Sequence, residues 1–471
     1  MKIVHGKKVI IIEKLDLNIK IQELINIFKE EPFFCFIDKL AYDKSGFSII
    51  AFNPFIVFES KKDCVSITKN NNKECLKGNA FLHLRNLLKK YQCGYRHKHI
   101  PFVDGCIGYF SYDLGRIIEK IPEAKSDKYD IPEIILGFYN CALVIENTTG
   151  IIYVSATSSG IECENAEEKI INRINEIKKQ IINYENTGFK TVHANYKSGT
   201  LKSNFSKINY INNVKRAKEY IRNGDIFQVN LSQRFTFNFT GNPLEVFLKL
   251  KEINPVPFSA YLDYGDLKVV SSSPERFIKT KERIIETRPI KGTRPRGKSN
   301  EEDVKLEKEL LNSAKDRSEL TMIIDLERND LGRICEIGSV KVNEFIRLEK
   351  YSTVFHLVSI VSGKTREDKD FIDFLKAAFP GGSITGAPKI RAMEIINELE
   401  PESRNIYTGS IGYLGFNGDM DLNIAIRTIV FTDKEAFFNV GGGIVWDSDP
   451  EDEYKETLHK GEALFRAISN N

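Results

Sequence analysis

Residues 441–460 read GGGIVWDSDPEDEYKETLHK, a run of three glycines that leads within a few residues into the start signals of a helix. Ser448 or Asp449 can cap that helix through a side-chain oxygen. Pro450 suits the first helical position, because the N–H that proline lacks would have no partner there. The stretch therefore predicts a glycine-rich segment followed by a helix that begins near residue 450.

Two carboxylates and a lysine share one face of this predicted helix. Glu453 and Glu456 lie three residues apart, and Lys460 follows Glu456 by four. Such a charged face is usually only solvated. It can also hold Mg²⁺, which binds few carboxylates and keeps positions open for water and substrate oxygens, and Glu319 in KDRSEL supplies a third acid. Zinc or calcium would need histidine and cysteine, or more oxygen ligands.

Glycine-rich segments precede two of the predicted helices. VGGGIVWDSDP (440–450) places Gly441, Gly442 and Gly443 before one helix, and FPGGSITGAPK (379–389) leads into the other. Consecutive glycines let backbone N–H groups approach an anion closely, and a helix N-terminus favours negative charge. Each segment alone is common in ordinary turns. Together they indicate a site for a small anion.

A competing pattern lies at 292–299. GTRPRGKS fits the phosphate-binding pattern GxxxxGK[ST], and MIID (322–325) resembles the apolar run plus aspartate of nucleotide hydrolases. A phosphate-binding loop works by wrapping backbone N–H groups round phosphates, and Pro295 has none. A P-loop nucleotide-binding protein therefore remains a distant alternative. The same basic run could also touch RNA or DNA, although such runs are usually only solvated.

The chain has 471 residues, enough for two or three domains or one unusually large one. Lys plus Arg is 68 and Asp plus Glu is 65, a net charge of +3 that argues against a dedicated nucleic-acid binder. The eight cysteines are scattered and form no CxxC pair, which favours reduced core cysteines over zinc or redox motifs. No secretory signal or membrane-spanning apolar stretch is visible, so we expect a cytoplasmic protein without a membrane partner.

A polar, linker-like stretch near 185–205 divides the chain into two regions. We place an N-terminal region at 1–185 and a catalytic region at 205–468. Periodicity and turn residues predict strands at 47–60, a hairpin from 133–145 and 150–156, and a helix at 165–183. In the second region they predict helices at 210–225, from 301 and at 386–401, and strands at 226–237 and 267–280.

Beyond residue 207 the unusual motifs follow one another in a fixed order. They are GDIFQVNLSQRF (224–235), SSSPERF (271–277), TRPIKGTRPRG (287–297), LERNDLGR (326–333), FPGGSITGAPKIRAMEIINELEP (379–401), GSIGYLGF (409–416), MDLNIAIRT (420–428) and the stretch at 441–460. This series resembles the chorismate-utilising family, which includes anthranilate synthase component I, aminodeoxychorismate synthase component I, and the isochorismate and salicylate synthases. The resemblance covers about 207–466, and GYFSYDLGR (108–116) is similar to the first region of the two aminating members. It implies an α+β fold in which antiparallel sheets pack as a sandwich with helices outside.

The resemblance also implies roles for individual residues. Glu319, Glu453 and Glu456 would hold Mg²⁺. The groups that bind chorismate would be Gly292, Thr293, Tyr407, Arg427, Gly441, Gly442, Gly443 and Lys460. An arginine such as Arg427 suits this role because its guanidinium binds a carboxylate through two hydrogen bonds. His356 would line the ring near the departing hydroxyl.

Position 291 separates the family members. Anthranilate synthases carry alanine in PIxGT, whereas Lys291 resembles aminodeoxychorismate synthase, in which the amine attacks the ring. Burial beside Arg288 and Arg294 could lower the pKa of Lys291 and so make it nucleophilic. Glu275 in SPERF would be the general acid that helps the hydroxyl leave. The branch that activates water uses a lysine at position 228, and Gln228 disfavours that reaction.

The resemblance implies partners as well. The chain has no recognisable glutaminase motif, so a separate glutamine amidotransferase subunit would supply ammonia, in the route to para-aminobenzoate and folate. Aminating members also carry an LLES-like segment that binds tryptophan, and here Lys39 replaces the expected serine. The pocket would comprise Lys39, Ser45, Gly46, Phe47, Pro257, Phe258 and Ser259, with tryptophan binding placed in doubt by Lys39. Anthranilate synthase component I remains the alternative reading.

Overall fold

The computed structural model describes residues 1–17, 19–40, 46–123, 125, 128–187, 196–351, 354–433 and 435–469. They form two large antiparallel sheets with helices on the outer faces, which confirms the α+β class. Within these ranges we find no helix with both the length and the apolar character needed to cross a lipid bilayer. Ser45, a predicted pocket residue, lies outside the described residues.

The strands cover most of the chain. They are β1 (Lys2–His5), β2 (Lys8–Leu15), β3 (Cys35–Leu40), β4 (Gly46–Ala51), β5 (Ile56–Lys61), β6 (Cys64–Lys69), β7 (Asn72–Lys77), β8 (Gly105–Phe110), β9 (Ile134–Tyr139), β10 (Cys141–Glu146), β11 (Ile152–Thr157), β12 (Lys197–Ser198), β13 (Lys202–Ser203), β14 (Gln228–Thr240), β15 (Phe258–Asp263), β16 (Lys268–Ser273), β17 (Arg276–Lys281), β18 (Ile284–Arg288), β19 (Ile290–Pro295), β20 (Lys341–Lys350), β21 (Val354–Lys364), β22 (Gly386–Ala387), β23 (Ser410–Gly415), β24 (Met420–Asn423), β25 (Thr428–Phe431) and β26 (Glu435–Ile444).

The α-helices alternate with these strands. They are α1 (Ile21–Phe28), α2 (Ala80–Tyr91), α3 (Gly115–Ile118), α4 (Ala166–Thr187), α5 (Lys207–Arg222), α6 (Pro243–Ile253), α7 (Asn300–Asn312), α8 (Ala314–Gly332), α9 (Phe371–Ala378), α10 (Lys389–Leu399) and α11 (Pro450–Ile468). Short 3₁₀ turns lie at Tyr112–Leu114 and Gly382–Ile384.

Both sheets combine strands from the two regions of the sequence. The first sheet has the order β1-β2-β11-β10-β4-β3-β15-β16-β25-β26-β14-β12, and the second has the order β19-β21-β18-β17-β24-β23-β8-β9-β5-β6-β7. In each sheet, a strand from before the linker pairs with a strand from after it. These pairs are β3 with β15 in the first sheet and β8 with β23 in the second. The two regions of the sequence are therefore interleaved in space.

The core between the sheets consists of side chains from both. Ile49 and Val430 from the first sheet pack in one cluster with Ile107 and Ile411 from the second. Helices cover the outer faces: Leu24 of α1 and Leu464 of α11 pack in a cluster with the first sheet. This layering follows from apolar residues on both faces of the central strands, since every such face must be covered.

Most local predictions agree with the structure. The helix at 165–183 is α4, and α11 begins at Pro450 as predicted, with Asp449 accepting hydrogen bonds from the N–H groups of Glu451 and Asp452. Segments 141–146 and 152–157 form the expected hairpin. The reading of 133–145 as one arm of that hairpin is wrong, because the chain leaves the second sheet at Tyr139 and enters the first at Cys141.

The phosphate-binding loop predicted as an alternative at 292–299 is wrong. Residues Ile290–Pro295 form the extended strand β19, which pairs with β21. A strand whose backbone bonds to its neighbour cannot wrap its N–H groups round a phosphate. Only the end of the pattern leads into a helix, where Ser299 caps α7 by accepting from the N–H of Glu302.

Candidate active site

The three glycines of the 441–460 stretch lie inside strand β26, and α11 follows them and closes over that strand. Gly441, Gly442 and Gly443 pair with residues 232, 231 and 230 of β14. A Cβ added to Gly442 would lie 3.2 Å from Glu453 Oε2 and 3.4 Å from Glu456 Oε1. The absence of a side chain on this strand therefore lets the two carboxylates approach the backbone closely.

The flanking glycines bring further predicted residues to the same place. A Cβ on Gly441 would lie 2.9 Å from the hydroxyl of Tyr407, and one on Gly443 would lie 3.5 Å from Nζ of Lys291. On the α11 side, Nζ of Lys460 is 2.6 Å from Glu456 Oε1. The structure thus gathers residues from four separate parts of the sequence around one glycine strand.

The two carboxylates of α11 differ in their surroundings. Glu453 is buried, its Oε1 accepts a 2.5 Å hydrogen bond from Ser448, and burial raises its pKa. Within the described part of the chain, its Oε2 has no hydrogen-bond partner. Glu456 is half-exposed at 46%, and although partial burial works against its ionisation, the charge of Lys460 lowers its pKa. Both groups are oriented to receive a cation or a hydrogen-bond donor.

These acids fit a magnesium site that a substrate completes. Over the ranges that the structure describes, no group of three or more His, Cys, Asp or Glu is assembled closely enough to hold a metal ion by itself. Two of the three acids face a lysine: Lys460 is ion-paired with Glu456, and Nζ of Lys291 lies 4.0 Å from Glu319 Oε2. Mg²⁺ commonly takes one or two carboxylates and fills its octahedron with water and substrate oxygens. The unpartnered Oε2 of Glu453 suits such a shared site.

Lys291 lies on β19 with its side chain 14% exposed. Its amine faces the Glu319 carboxylate of α8, which packs against this strand. The two neighbouring arginines are both ion-paired, Arg288 with Glu349 and Arg294 with Glu309 and Asp316. Lys291 therefore faces a carboxylate, and the adjacent guanidinium charges are compensated.

Glu275 lies at the corner between β16 and β17 and is only 5% exposed. Burial raises its pKa, while the positive charges of Lys291 and Lys460 oppose the rise. Among the described residues its Oε1 accepts no hydrogen bond. A buried carboxyl that lies near Lys291 and has one oxygen without a partner can, when protonated, act as a general acid.

His356 and Arg427 line the other side of the site. His356 Nδ1 and the Thr293 hydroxyl are 2.9 Å apart across the β19–β21 ladder. Burial, reinforced by the charge of Arg427, lowers the pKa of His356 to about 3, so the imidazole is neutral.

Arg427 has a positive φ of 50°, and no side-chain hydrogen bond or ion pair of its guanidinium is found within the described chain. Backbone strain beside an unpaired guanidinium is typical of an anion-binding position. Gly292, with φ of 77°, lies on β19 between Lys291 and Thr293.

The predicted tryptophan pocket forms a separate cavity. Lys39, Gly46, Phe47, Pro257 and Phe258 line a cavity of about 540 Å³, whereas Ser259 is buried away from its wall.

Lys39 occupies this cavity with its charge already satisfied. Its Nζ is 2.8 Å from Asp421 Oδ2 and lies 4.3 Å from the centre of the Tyr413 ring. Burial lowers the pKa of Lys39 to about 7, and the Asp421 carboxylate opposes that shift. The lysine therefore places an ion-paired cation in the wall of the pocket where the resemblance leads to a smaller serine.

Two residues at the site were not among the predicted set. Gln228 is fully buried on β14, and its amide nitrogen lies 2.8 Å from the position that a Cβ on Gly443 would take. Neither amide atom has a partner within the described residues. Lys315 adds positive charge beside Glu453 and Glu456. The spacing of Lys315 and Glu319, one helical turn apart in KDRSEL, was the signal that could have identified the lysine.

Comparisons with known proteins identify the family of the chain. A family model described as chorismate binding enzyme matches residues 41–466. Anthranilate synthase component 1 of Aquifex aeolicus is 44% identical over 389 residues, covering 82% of this chain and 78% of that protein. Aminodeoxychorismate synthase component 1 of Bacillus subtilis is 38% identical over 422 residues, covering 90% of this chain and 89% of that protein.

A solved structure shares the fold along nearly the whole length. Anthranilate synthase component I from Streptococcus pneumoniae superposes with a TM-score of 0.80 at 33% identity, covering 89% of this chain and 92% of that one. The family model, the two relatives and the fold all point the same way. The chain belongs to the chorismate binding enzymes, in the family of anthranilate synthase component 1 and aminodeoxychorismate synthase component 1.

Proposed function

We propose that this chain is the large subunit of an aminodeoxychorismate synthase, which converts chorismate and ammonia into 4-amino-4-deoxychorismate and water. The observation that carries the proposal is the place of Lys291. Its amine is largely buried, lies 4.0 Å from Glu319 and faces the glycine strand where the predicted substrate groups converge. A primary amine at this point can reach a ring that the surrounding cations hold.

Chorismate carries two carboxylates, and the site offers donors for both. The unpaired guanidinium of Arg427, the hydroxyl of Tyr407 and the ammonium of Lys460 are suited to bind them. Glu319, Glu453 and Glu456 would hold Mg²⁺, which when bound supplies positive charge that polarises a substrate carboxylate. Helix α11 packs on β26 and partly shields this space from water, which strengthens these interactions.

The first step forms a covalent bond between Lys291 and the ring. The neutral amine attacks a ring carbon, the ring double bonds shift, and the C–O bond to the ring hydroxyl breaks. Glu275 gives its proton to the hydroxyl, which leaves as water, and the lysine nitrogen then passes a proton to the Glu275 carboxylate, which can return it in the next step. The amine therefore divides one difficult displacement into two easier ones.

The second step exchanges nitrogen atoms. Ammonia bonds to the carbon that carried the hydroxyl, the double bonds shift back, and the C–N bond to Lys291 breaks. The lysine nitrogen takes back a proton, so that one ammonia has replaced one hydroxyl and one water has been released. Gln228 is neutral and cannot activate water as a lysine there would, which supports ammonia as the incoming nucleophile.

We also propose a separate glutamine amidotransferase subunit as the source of ammonia, because the sequence carries no glutaminase motif. The product would then enter the route to para-aminobenzoate and folate. This assignment is made on the amination chemistry and on the likeness to the Bacillus subtilis relative, which is named aminodeoxychorismate synthase component 1.

A second candidate is anthranilate synthase component I. The Aquifex aeolicus relative, at 44% identity, carries that name. The substrate and metal groups would be the same, and only the carbon that receives the nitrogen would differ. Lys291 stands against this candidate, because the resemblance places alanine there in anthranilate synthases.

Product analysis tests the proposal. The purified chain is incubated with chorismate, MgCl₂ and ammonium at alkaline pH, and the products are separated with and without an added aminodeoxychorismate lyase. We expect a product that the lyase converts to para-aminobenzoate. Direct formation of anthranilate without the lyase would assign the chain to the second candidate.

A further inference from the structure

A buried ion pair lies between the end of α10 and the loop that precedes β23. The side chains of Glu400 and Arg404 are 5% and 1% exposed. Arg404 Nε donates to Glu400 Oε2 at 2.9 Å, and Nη2 donates to Glu400 Oε1 at 2.7 Å, so the guanidinium binds the carboxylate through two hydrogen bonds. Apolar residues of similar volume often stabilise a fold as well as a buried ion pair does, so this pair calls for a reason beyond stability.

The guanidinium of Arg404 is held by main-chain oxygens of two further segments. Its Nη1 donates to the carbonyl of Ile384, in the glycine-rich segment at 379–389, at 3.0 Å. Its Nη2 donates at 2.8 Å to the carbonyl of Asn230 on β14, which pairs with Gly443. The arginine is therefore fixed between the two glycine-rich parts of the chain.

Glu400 contacts the same strand. Its Oε1 accepts from the N–H of Ser232 at 2.8 Å and from the Ser232 hydroxyl at 2.9 Å. Ser232 pairs with Gly441 in the β14–β26 ladder. The carboxylate therefore orients the guanidinium relative to the strand that lies beside the candidate substrate site.

Arg404 is connected to Tyr407 through both ring and main chain. Arg404 Cζ lies 5.7 Å from the centre of the Tyr407 ring and 4.8 Å from the centre of the Tyr112 ring, within reach of cation–π contacts. The N–H of Tyr407 donates to the Arg404 carbonyl at 3.2 Å. Arg404 Nη1 donates to the Thr408 hydroxyl at 3.3 Å, and that hydroxyl donates to the Tyr407 carbonyl at 2.6 Å. The guanidinium thus supports the ring and the peptide group that carries it.

The loop places the far end of the Tyr407 ring at the glycine strand. The phenol hydroxyl lies 2.9 Å from the position that a Cβ on Gly441 would take. Thr408 has a φ of 62°, which a β-branched residue adopts only where its surroundings fix it. The ion pair contacts both neighbours of Gly441, since Glu400 bonds to the residue paired with it and Arg404 supports the ring beside it.

We propose that Arg404 is a positioning residue that acts through Tyr407: oriented by Glu400, it holds the phenol hydroxyl beside Gly441, where that hydroxyl donates a hydrogen bond to a carboxylate of chorismate. This inference rests on the proposed function in one respect, the role of Tyr407 in binding chorismate. Because the arginine places a binding group, its loss weakens substrate binding and leaves the chemical steps nearly unchanged.

The test is a double-mutant cycle on chorismate consumption by the complete chain with Mg²⁺ and ammonia. Arg404→Lys keeps the positive charge but lacks the planar fork that reaches several acceptors at once. We expect it to raise the KM for chorismate by about 10-fold and to leave kcat within about twofold, as Tyr407→Phe does. In the Tyr407→Phe background the same lysine should raise KM by less than about twofold, because the group through which Arg404 acts is already missing.

An arginine that only stabilised the fold would give effects on KM that multiply in the double variant, and that result overturns the inference. An unchanged KM in Arg404→Lys overturns it as well. If Arg404→Lys does not fold, Thr408→Val takes its place, because it removes the hydroxyl that links Arg404 to the Tyr407 carbonyl and keeps a side chain of similar shape. Thr408→Val should raise KM by about threefold, with no further rise when combined with Tyr407→Phe, and an unchanged KM contradicts the inference.

Asp104→Asn is the control. It breaks another buried ion pair, with Lys8, whose carboxylate otherwise bonds to Thr157 and Ser159. Its Tm should fall while the KM for chorismate stays unchanged. Consumption of chorismate is followed whatever the product, so the cycle is independent of product identity. If Tyr407→Phe alone leaves KM unchanged, the proposed function loses this binding group and the inference fails with it.

Discussion

Two polar clusters in the described part of the chain differ in how their polar groups are paired. In the candidate active site, Glu453 Oε2, Glu275 Oε1 and both amide atoms of Gln228 are buried, and none has a partner among the described residues. In the cavity that corresponds to the doubtful tryptophan pocket, Asp421 is ion-paired with both Lys39 and Arg276. An unpaired buried polar group costs about 1–3 kcal/mol, so several in one place call for an explanation, of which a bound ligand is one.

The difference in pairing supports the glycine-strand cluster as the proposed site. Groups that are already ion-paired leave few donors or acceptors for a ligand. Unpaired polar groups around a glycine strand keep theirs free to bind one. Sequence resemblance assigned possible ligands to both cavities. The hydrogen-bond pattern distinguishes the two clusters, and the following experiments test that distinction.

The largest effect is expected at Lys291. Lys291→Ala removes the nucleophile, so we expect kcat/KM for aminodeoxychorismate formation to fall by at least about 10³-fold. The measurement is the lyase-coupled assay described above. Lys298→Ala is the matched control, since that lysine is exposed just beyond the same strand. Full activity in the alanine variant at position 291 would remove the covalent step.

The next effect concerns the acids of α11. Glu456→Gln removes a charge that faces Gly442, and we expect Mg²⁺ affinity in the presence of chorismate to fall by about 100-fold, measured by calorimetry. Glu451→Gln provides the control, because Glu451 is exposed on the same helix and pairs with Lys207. Turnover that survives complete removal of divalent ions by a chelator would contradict the metal assignment.

A smaller effect is expected in the satisfied cavity. The pKa of Lys39 is lowered to about 7 by burial, from an ordinary value of 10.5 that the unfolded chain retains. Between these two values the unfolded chain binds more protons, so this group makes folding more favourable as pH rises, by at most about 1.4 kcal/mol per pH unit.

Replacing this lysine removes that dependence. We expect the Tm of the wild type minus that of Lys39→Met to increase from pH 7 to pH 9, as measured by calorimetric unfolding. Lys73→Met, at an exposed lysine paired with Glu59, should show no such trend. A constant difference between wild type and Lys39→Met would mean that Lys39 stays charged across this range.

The smallest effect is expected for tryptophan. Because the Lys39 ammonium already binds Asp421 and covers the Tyr413 ring, we expect no rise in Tm and no inhibition with millimolar tryptophan. Lys39→Ser, which restores the serine expected of aminating relatives, should admit the ligand. A tryptophan-dependent rise in Tm of the wild type would show that the cavity is not closed by its ion pair.

Local signals in the sequence predicted local structure well. The Asp449 cap, Pro450 and the spacing of Glu453 and Glu456 determine how α11 begins and which side chains share a face. The break at Asn140 was missed, because β9 and β10 are both continuously apolar and nothing in their pattern marks a change of sheet.

Contacts between distant residues could not be predicted from periodicity. Lys39 contacts the main chain of Asp421, 382 positions away, and Thr287 binds Glu327 across two elements. Resemblance to a family supplied candidate roles, but it said nothing of the ion pairs that compensate Arg288 and Arg294. Such pairs depend on tertiary packing, which brings together residues with no common local pattern.

The most direct test of the account is to look for the bond between Lys291 and the ring. The chain is mixed with chorismate and Mg²⁺ without ammonia, quenched in acid, digested and analysed by mass spectrometry. We expect a modification equal to chorismate minus water on the peptide that contains Lys291, absent from Lys291→Ala and discharged when ammonia is added before the quench. Unmodified Lys291 throughout a reaction that still forms aminodeoxychorismate would contradict the account.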